Sequence, residues 1–367
     1  MDEWVENFVC LIILRPFKFN KNKNPNDFFV ETYDEFNSLL AETTGLVGKL
    51  DGICRFVLNL DMYIHLLMVQ EACASCELEN TPTQFYDFFR SAGASKNSPL
   101  ALNILNAMNY VQDYAFSENL IKKAHGMLAT AEIKESEYRN TQYLSIDHFF
   151  MRYLTHPVPS DWIPTAINDM AKYMSRDNVQ NGLVKAATIQ YQLEVLSPFN
   201  RYSRVIARMM AMLSLKWDGL LPYPVLWLSD YLSGVKIEYA DRINAAYKQD
   251  EDLFSIIWIK FFLLAVNASA RNSIQLIECL TNAQETHITL LPQISGGNKS
   301  VQMIYDYISC TIITNVRQIS DALKLSFSGV TKVVKSFEEA GILRQVTHKE
   351  RYRLFGYAPV LDLFEYR

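Results

Sequence analysis

The sequence predicts a mainly α-helical protein whose C-terminal part ends in a helix, a turn, a second helix and two short strands. From about residue 35 to residue 283, apolar residues recur three or four positions apart, as Ile104, Leu105 and Met108 do, which is the spacing of one helix face. Runs that alternate between apolar and polar residues, as a half-buried strand requires, are scarce in that range. After residue 284 the periodic segments become short and are separated by turns.

The expected organisation is an N-terminal segment over 1–34, a helical domain over 35–283 and a C-terminal domain over 284–367. The 367 residues suffice for two or three domains, and their 49% hydrophobic content is typical of a folded globular chain. Within the first segment, the polar and proline-containing stretch Asn20–Asp27 indicates a loop before the helices begin.

Charge and cysteine usage restrict the surroundings in which the protein acts. The formal net charge is −5, so contact with nucleic acid would need a local basic patch. The N-terminus carries Asp2 and Glu3 where a secretory signal needs positive charge, and the apolar run Phe8–Leu14 is too short to span a bilayer. Six cysteines at irregular spacing suit a reducing compartment. We therefore expect a cytoplasmic protein that does not contact a membrane.

Two helices are predicted in the C-terminal domain. The first covers Asn315–Leu323, and a turn over Lys324–Ser328 separates it from the second, which covers Gly329–Ala340. Gly341 follows directly, and a glycine commonly ends a helix.

Two strands are predicted to follow, over Ile342–Val346 and Tyr352–Tyr357, around a charged turn at 348–351. Basic residues on the second helix and on this strand pair are candidates for contact with DNA phosphates, or with a dimer or protein partner. They are Lys332, Lys335, Lys349, Arg351 and Arg353.

The stretch Leu193–Met210 (LEVLSPFNRYSRVIARMM) carries the main functional signal. It resembles the Fic-family signature H-P-F-x-D/E-G-N-G-R-x-x-R. Ser197, Pro198, Phe199 and Arg208 are in register with its first, second, third and last letters. Most of the letters between them differ.

Segments on both sides of this stretch are similar to the same family in the same order. Gly182–Leu196 resembles the helix that leads into the motif, and Gly219–Leu232 and Trp258–Val266 resemble segments that follow it. Before them, Ser75-x-x-x-Glu79-Asn80 is similar to the family's inhibitory helix, expected near residues 71–81. The resemblance covers roughly residues 60 to 275.

The resemblance implies a Fic helical core with a small β-hairpin flap and a C-terminal winged helix-turn-helix. The flap would correspond to Glu135–Ser145, with Tyr138-Arg139 in place of the family's Phe-Arg. In the family this hairpin holds an extended target peptide beside the active site, through main-chain hydrogen bonds that tolerate changes of side chain.

The catalytic positions of the motif are altered. The family's histidine takes a proton from a protein hydroxyl that attacks the α-phosphate of ATP, and Ser197 stands in its place. A serine hydroxyl is not basic near neutral pH, so the general-base contribution of roughly 10²- to 10⁴-fold is lost. Arg201 replaces the acidic residue that holds magnesium, and a cation there repels the metal. No metal site is therefore predicted.

The phosphate-binding loop is altered as well. Tyr202 and Arg204 replace glycines whose amides wrap the phosphates, and a Cβ disfavours both positive φ and close approach. On the adenine side, Val235-Lys236 and Tyr239-Ala240 replace the family's Asn-Arg and its paired tyrosines. The resemblance implies ATP with magnesium as the ligands, but we expect neither in the family's ordinary pose.

Arginines in the motif form a candidate anion site. Arg201, Arg204 and Arg208 are spaced i, i+3 and i+7, which predicts one helical face, and Ser203 lies between them. They face a bound phosphate group, an internal carboxylate or solvent. The resemblance names Glu79, the inhibitory glutamate, as the carboxylate that pairs with Arg208, and a bidentate contact is the hypothesis.

Three functions remain open at the level of sequence. The first is a non-catalytic or altered Fic-family protein, regulatory or signalling, that binds a protein, an anion or DNA. The second is an active transferase of AMP or another phosphate moiety, in which the arginines substitute for metal and base. The third is a transcriptional regulator that binds DNA through its winged helix. The expected partners are a protein target or regulator, DNA, and a second copy of the chain.

Overall fold

The computed structural model describes residues 27–57, 59–88, 99–128, 137–140, 158–175, 181–247, 255–294, 299–347 and 353–364. These residues are mostly helical and include one three-stranded antiparallel sheet, which confirms the mainly α prediction. None of the helices in these ranges is long and apolar enough to cross a membrane.

The chain forms two compact units. The first comprises 1–55, 67–82 and 99–271, and the second comprises 56–66, 83–98 and 272–367. The division at 271/272 differs from the sequence-based boundary at 283/284. It falls inside one long helix, Lys260–Leu290, whose uninterrupted periodicity carries no sign of a domain boundary.

Ten α-helices lie between residues 27 and 290 of the described chain. The first begins at Asp27, within the segment that the sequence sets apart as 1–34. The helices are α1 Asp27–Cys54, α2 Leu60–Leu78, α3 Pro99–Val111, α4 Glu118–Met127, α5 Ile163–Met174, α6 Gly182–Leu196, α7 Ser203–Trp217, α8 Ser229–Gly234, α9 Lys236–Tyr247 and α10 Lys260–Leu290.

The α6–α7 pair forms the centre of the first unit. Nearly every residue of α6 is buried, which is expected of a helix that is apolar on all sides. The side chain of Asn181 accepts a hydrogen bond from the amide of Leu183 and so caps the start of α6. Helix α6 ends at Leu196, with Ser197 as its C-cap, and α7 begins at Ser203 after a short loop.

The C-terminal part of the second unit has the element order helix, strand, helix, helix, strand, strand, helix. The elements are α11 Lys299–Thr311, β1 Ile313–Thr314, α12 Val316–Leu323, α13 Phe327–Glu339, β2 Leu343–Gln345, β3 Phe355–Tyr357 and α14 Ala358–Phe364. The sheet order is β1-β3-β2, and Gly356 of β3 lies opposite Ile313 on one side and Arg344 on the other.

Both helices and both strands predicted for this part are present. Asn315 and Gln318 form a reciprocal capping box at the start of α12, and Gly341, with φ +73°, follows the end of α13. Strand β1 and helix α14 were not predicted. A two-residue strand such as β1 is too short to show alternation. Of the predicted flap, only residues 137–140 are described, without regular structure, and the rest lies outside the described residues.

Candidate functional site

The loop between α6 and α7 carries the motif and has left-handed backbone at both ends. Ser197 has φ +41° and Tyr202 has φ +60°. This conformation costs roughly 1–2 kcal/mol for a residue with a Cβ. The sequence led us to expect that Tyr202 would resist a positive φ, but its buried side chain is held in the core. Packing of this side chain therefore outweighs the local backbone preference.

Ser197 is buried, and its hydroxyl is bonded to its own helix. Its Oγ donates to the main-chain oxygen of Glu194 at 2.7 Å, and its amide donates to the oxygen of Leu193 at 3.0 Å. The hydroxyl therefore closes the last turn of α6. At the position that the sequence aligned with the motif's histidine, this hydroxyl offers no base near neutral pH.

Ser203 closes the other end of the loop. Its Oγ accepts a hydrogen bond from the amide of Phe199 at 2.9 Å and donates to the oxygen of the same residue at 2.9 Å. The side chain is buried. This predicted anion-binding hydroxyl is thus engaged within the loop.

His125 lies against the loop from α4. Its ring stacks on that of Phe199, with centroids 3.7 Å apart and planes 4° apart. Nε2 donates to the main-chain oxygen of Arg201 at 3.1 Å, and Nδ1 has no hydrogen-bond partner among the described residues. Burial lowers the pKa of His125 to about 4, so the ring is neutral at pH 7. The stacked ring and the main-chain hydrogen bond are packing contacts.

Arg201 does not share a helical face with the other two arginines, so that prediction is wrong. It precedes α7, because Tyr202 occupies the helix N-cap, and its side chain is exposed. Its guanidinium lies 5.2 Å from the centroid of the Tyr202 ring. Only Arg204 and Arg208, four residues apart, extend from the same face of α7.

Arg208 is only 1% exposed and faces α2. Its Nη2 donates to Ser75 Oγ at 3.4 Å and lies 3.7 Å from Glu79 Oε1. Nε and Nη1 have no hydrogen-bond partner within the described part of the chain. The hypothesised pair with Glu79 is thus a single ion-pair contact, without the bidentate geometry. The inhibitory role of Ser75, Glu79 and Asn80 stays a prediction.

Glu71 is a second carboxylate on the same side of α2, and sequence reasoning missed it. Its oxygens accept hydrogen bonds from the amide of Ser229 at 2.8 Å, from Ser229 Oγ at 2.6 Å and from Ser75 Oγ at 3.3 Å. Burial raises the pKa of Glu71, and the charge of Arg208 opposes that increase. The signal was present, since Glu71, Ser75 and Glu79 follow at intervals of four residues on one face of α2.

Glu194, on α6, is a third carboxylate that the sequence did not assign to the site. Its Oε1 accepts hydrogen bonds from the hydroxyl of Tyr239 and from Gln190 Nε2. Its Oε2 lies 3.7 Å from Arg204 Nε and has no hydrogen-bond partner in the described ranges. Burial raises the pKa of Glu194 to about 7, although Arg204 and Arg208 act in the opposite direction. We call Glu71, Glu79, Glu194, Arg204 and Arg208 the charged cluster.

Lys236 and Asn80 connect α9 to the end of α2. Lys236 Nζ donates to Asn80 Oδ1 at 2.7 Å and to the main-chain oxygen of Glu77 at 3.4 Å. A cation near the last carbonyls of a helix is stabilising. Lys236 therefore holds the end of α2.

The residues at the magnesium position do not fit the metal. Arg201 presents a guanidinium, which has donors and no acceptor oxygen. Magnesium requires oxygen ligands in near-octahedral arrangement. The nearby carboxylate of Glu194 is fully buried and directed at Tyr239 and Gln190.

Of the basic residues predicted in the second unit, those that are described lie at its surface. Lys332 and Lys335 are exposed on α13, and Lys335 pairs with Glu339 at 3.7 Å. Arg353 is exposed beside β3. Lys349 and Arg351 lie outside the described residues.

Comparisons with known proteins give one family-model match and similar solved structures. Residues 37–116 match the family model for the N-terminal region of the Fic/DOC family. A solved Fic family protein from Desulfovibrio desulfuricans G20 is 16% identical, with 92% of this chain and 98% of that chain covered and a TM-score of 0.49. A Fic domain containing signaling protein from Bacteroides thetaiotaomicron VPI-5482 is 11% identical, with 66% and 97% covered and a TM-score of 0.49.

Proposed function

We propose that the chain, whose residues 37–116 match the family model for the N-terminal region of the Fic/DOC family, is a non-catalytic, regulatory member of the Fic family. In this proposal it acts by binding a protein partner or an anion. The single observation that carries the proposal is the hydroxyl of Ser197, which donates to Glu194 O at the base position. A hydroxyl used in this way is a poor proton acceptor for a target side chain.

The arginines of the motif support the same proposal. Arg208 faces Ser75 and Glu79, and Arg204 faces Glu194. Internal carboxylates thus occupy positions around both guanidinium groups, where an oxyanion would otherwise bind. Together with Arg201 at the metal position, this arrangement disfavours ATP with magnesium in the family's ordinary pose.

The choice between a non-catalytic protein and a transferase is tested by labelling. Purified wild type and the variants Glu79→Gly and Ser197→Ala are incubated with magnesium and α-phosphate-labelled ATP, and label on protein is measured. We expect no label in any of them. Label that appears in Glu79→Gly would overturn the proposal and establish the transferase alternative.

Two controls define the result. An authentic Fic-family transferase in the same assay shows that the conditions permit transfer. Retention of helical circular dichroism in each variant shows that absence of label reflects chemistry and not unfolding.

Size-exclusion chromatography of the same samples measures whether a homodimer forms.

A second candidate function is DNA binding by the second unit. The observation that favours it is the order α11, β1, α12, α13, β2, β3 with Lys332 and Lys335 exposed on α13, an order that resembles a winged helix. Binding to duplex DNA should weaken with salt and be lost in Lys332→Ala/Lys335→Ala. Lys299→Ala, at the exposed first residue of α11 in the same unit, is the matched control.

The cysteines support the proposed cytoplasmic location. Those in the described part of the chain are all free thiols. Free thiols persist in reducing compartments. Fluorescence microscopy of a tagged chain tests the location directly.

A further inference from the structure

The second unit contains a group of buried polar side chains that is distinct from the charged cluster of the first unit. His287 lies near the end of α10, Tyr305 on α11 and Tyr357 at the end of β3, and each is at most 9% exposed. Nδ1 of His287 is 3.2 Å from the Tyr357 hydroxyl and 3.4 Å from the Tyr305 hydroxyl, and the two hydroxyls are 3.1 Å apart. The three rings meet edge to face. We call these three residues the buried triad.

The hydrogen bonds of the buried triad depend on where the imidazole carries its proton. When Nδ1 is an acceptor, Tyr305 donates to the Tyr357 oxygen and Tyr357 donates to Nδ1, so both hydroxyl protons have an acceptor. The contact left without a proton is then Tyr305 to His287, which is the longest of the three. If Nδ1 carried the proton, one hydroxyl would have no acceptor within the triad. The distances therefore favour a neutral His287 with its proton on Nε2.

We propose that the buried triad is a pH-sensitive contact, which holds α11 and β3 against α10 only while His287 is neutral. A second proton on the ring turns Nδ1 from an acceptor into a donor. Three donors then share two oxygens, and one hydroxyl proton is left buried without an acceptor. An unpaired buried hydroxyl and an imidazolium removed from water are both unfavourable. Uptake of the proton therefore opens the contact.

The groups around His287 do not stabilise its charged form. Tyr305 and Tyr357 are the titratable groups that face the ring, and Tyr63 at the start of α2 and Asp306 act on these tyrosines. Burial raises the pKa of Tyr305 to about 12 and raises that of Tyr357 as well, so both hydroxyls keep their protons. Among the described residues no carboxylate pairs with His287, and burial lowers the pKa of the ring from 6.5. The neutral ring is therefore the form present at pH 7.

Hydrogen–deuterium exchange of the full chain, measured by mass spectrometry from about pH 7.5 to about pH 5, tests the inference in the range where histidine titrates. The peptide to follow covers 353–364, in which the Tyr357 amide donates to Ile312 O. Rates corrected for the intrinsic effect of pH give the equilibrium constant for local opening. Because opening takes up one proton, this constant should increase by up to about tenfold for each pH unit below 6.5, until the folded-state pKa of His287 is reached.

Histidine variants assign the effect to the buried triad. His287→Gln does not titrate in this range, so the opening constant of 353–364 should lose its dependence on pH. His125→Gln is the matched control, because it removes a buried histidine of the first unit whose pKa is also lowered by burial, and this peptide should behave as in wild type. A folded His287→Gln variant that opens with the same pH dependence as wild type would overturn the inference.

Wild type decides the question if His287→Gln does not fold. An opening constant for 353–364 that stays unchanged between about pH 7.5 and about pH 5 contradicts the inference. Nuclear magnetic resonance of ¹³C-labelled histidine distinguishes the two neutral tautomers, and a proton on Nδ1 of His287 at pH 7 would contradict it as well. Neither result depends on whether label is transferred from ATP, so the inference and the proposed function fail separately.

Discussion

Arg139 donates a hydrogen bond from Nε to the main-chain oxygen of Ser197 at 2.8 Å. The same buried guanidinium donates from Nη2 to the oxygens of Leu196 and Val158, and the Arg139 amide donates to Pro198 O at 2.9 Å. A cation at the C-terminal end of α6 is favourable because the last carbonyls of a helix carry partial negative charge. Arg139 thus joins three chain segments where the motif begins.

Replacing Arg139 should destabilise the first unit strongly. Arg139→Gln leaves buried carbonyls without donors, and we expect a loss of about 3 kcal/mol of the free energy of unfolding. Arg139→Lys keeps the charge but cannot bond three oxygens in a plane, so an intermediate loss is expected. Urea denaturation followed by circular dichroism measures both.

The matched control for Arg139 is a surface arginine. Arg55 forms an i, i+4 pair with Asp51, and its side chain is 58% exposed. Arg55→Gln should change the free energy of unfolding by less than about 0.5 kcal/mol. An Arg139→Gln variant as stable as this control would show that the carbonyls are satisfied in another way.

Ser197 should tolerate glycine better than alanine. Both substitutions remove the hydrogen bond to Glu194 O, which contributes about 1 kcal/mol. Only glycine also relieves the left-handed backbone at φ +41°, by a similar amount. Denaturation midpoints should therefore place Ser197→Gly close to wild type and Ser197→Ala below it. The reverse order would indicate that the positive φ carries no strain.

The sequence predicted the parts of the site that depend on regular spacing. Helical periodicity is enough to place Ser75 and Glu79 on one face of α2, where both lie near Arg208. The position of Arg201 could not be predicted in this way, because it depends on where the loop ends. Tyr202 takes a backbone conformation unusual for tyrosine, and this starts the helix one residue after it.

The roles of Glu71, Glu194 and Arg139 at the site could not be predicted from the sequence for a different reason. A glutamate in a helical pattern is expected at the surface, since carboxylates are rarely fully buried without partners. The partners of these residues come from distant parts of the chain. Ser229 and Tyr239 bind the two glutamates, and main-chain oxygens far from residue 139 accept from the arginine. Only tertiary structure brings them together.

Gly356 in β3 should not accept a side chain. A Cβ built there would lie 2.7 Å from Leu361 Cδ1 of α14, so Gly356→Ala should cost about 1–3 kcal/mol through overpacking. The test is a double-mutant cycle. In a Leu361→Ala background the cost of Gly356→Ala should be much smaller, because the clashing methyl groups are absent. Equal costs in both backgrounds would contradict the close approach of α14 to β3.

The pH dependence of stability should contain two opposing contributions from the first unit. His125 has a pKa of about 4 in the folded state against 6.5 when unfolded. The unfolded chain therefore binds more protons between these values, and this contribution to stability is lost as the pH falls from 6.5 to 4. Glu194 has a folded pKa of about 7 against 4.5 when unfolded. Its contribution is present below pH 4.5 and is lost as the pH rises to 7.

Because the two intervals overlap, the contributions of His125 and Glu194 should largely cancel between pH 4.5 and 6.5. The raised pKa of Glu71 adds a contribution with the same sign as that of Glu194, so stability decreases as the pH rises. Compared with wild type, the slope of stability against pH should be more positive in Glu194→Gln and more negative in His125→Gln. Each shift is worth at most about 3 kcal/mol. Urea denaturation at several pH values measures the slopes, and a variant with the slope of wild type would show that the replaced residue titrates normally in the folded protein.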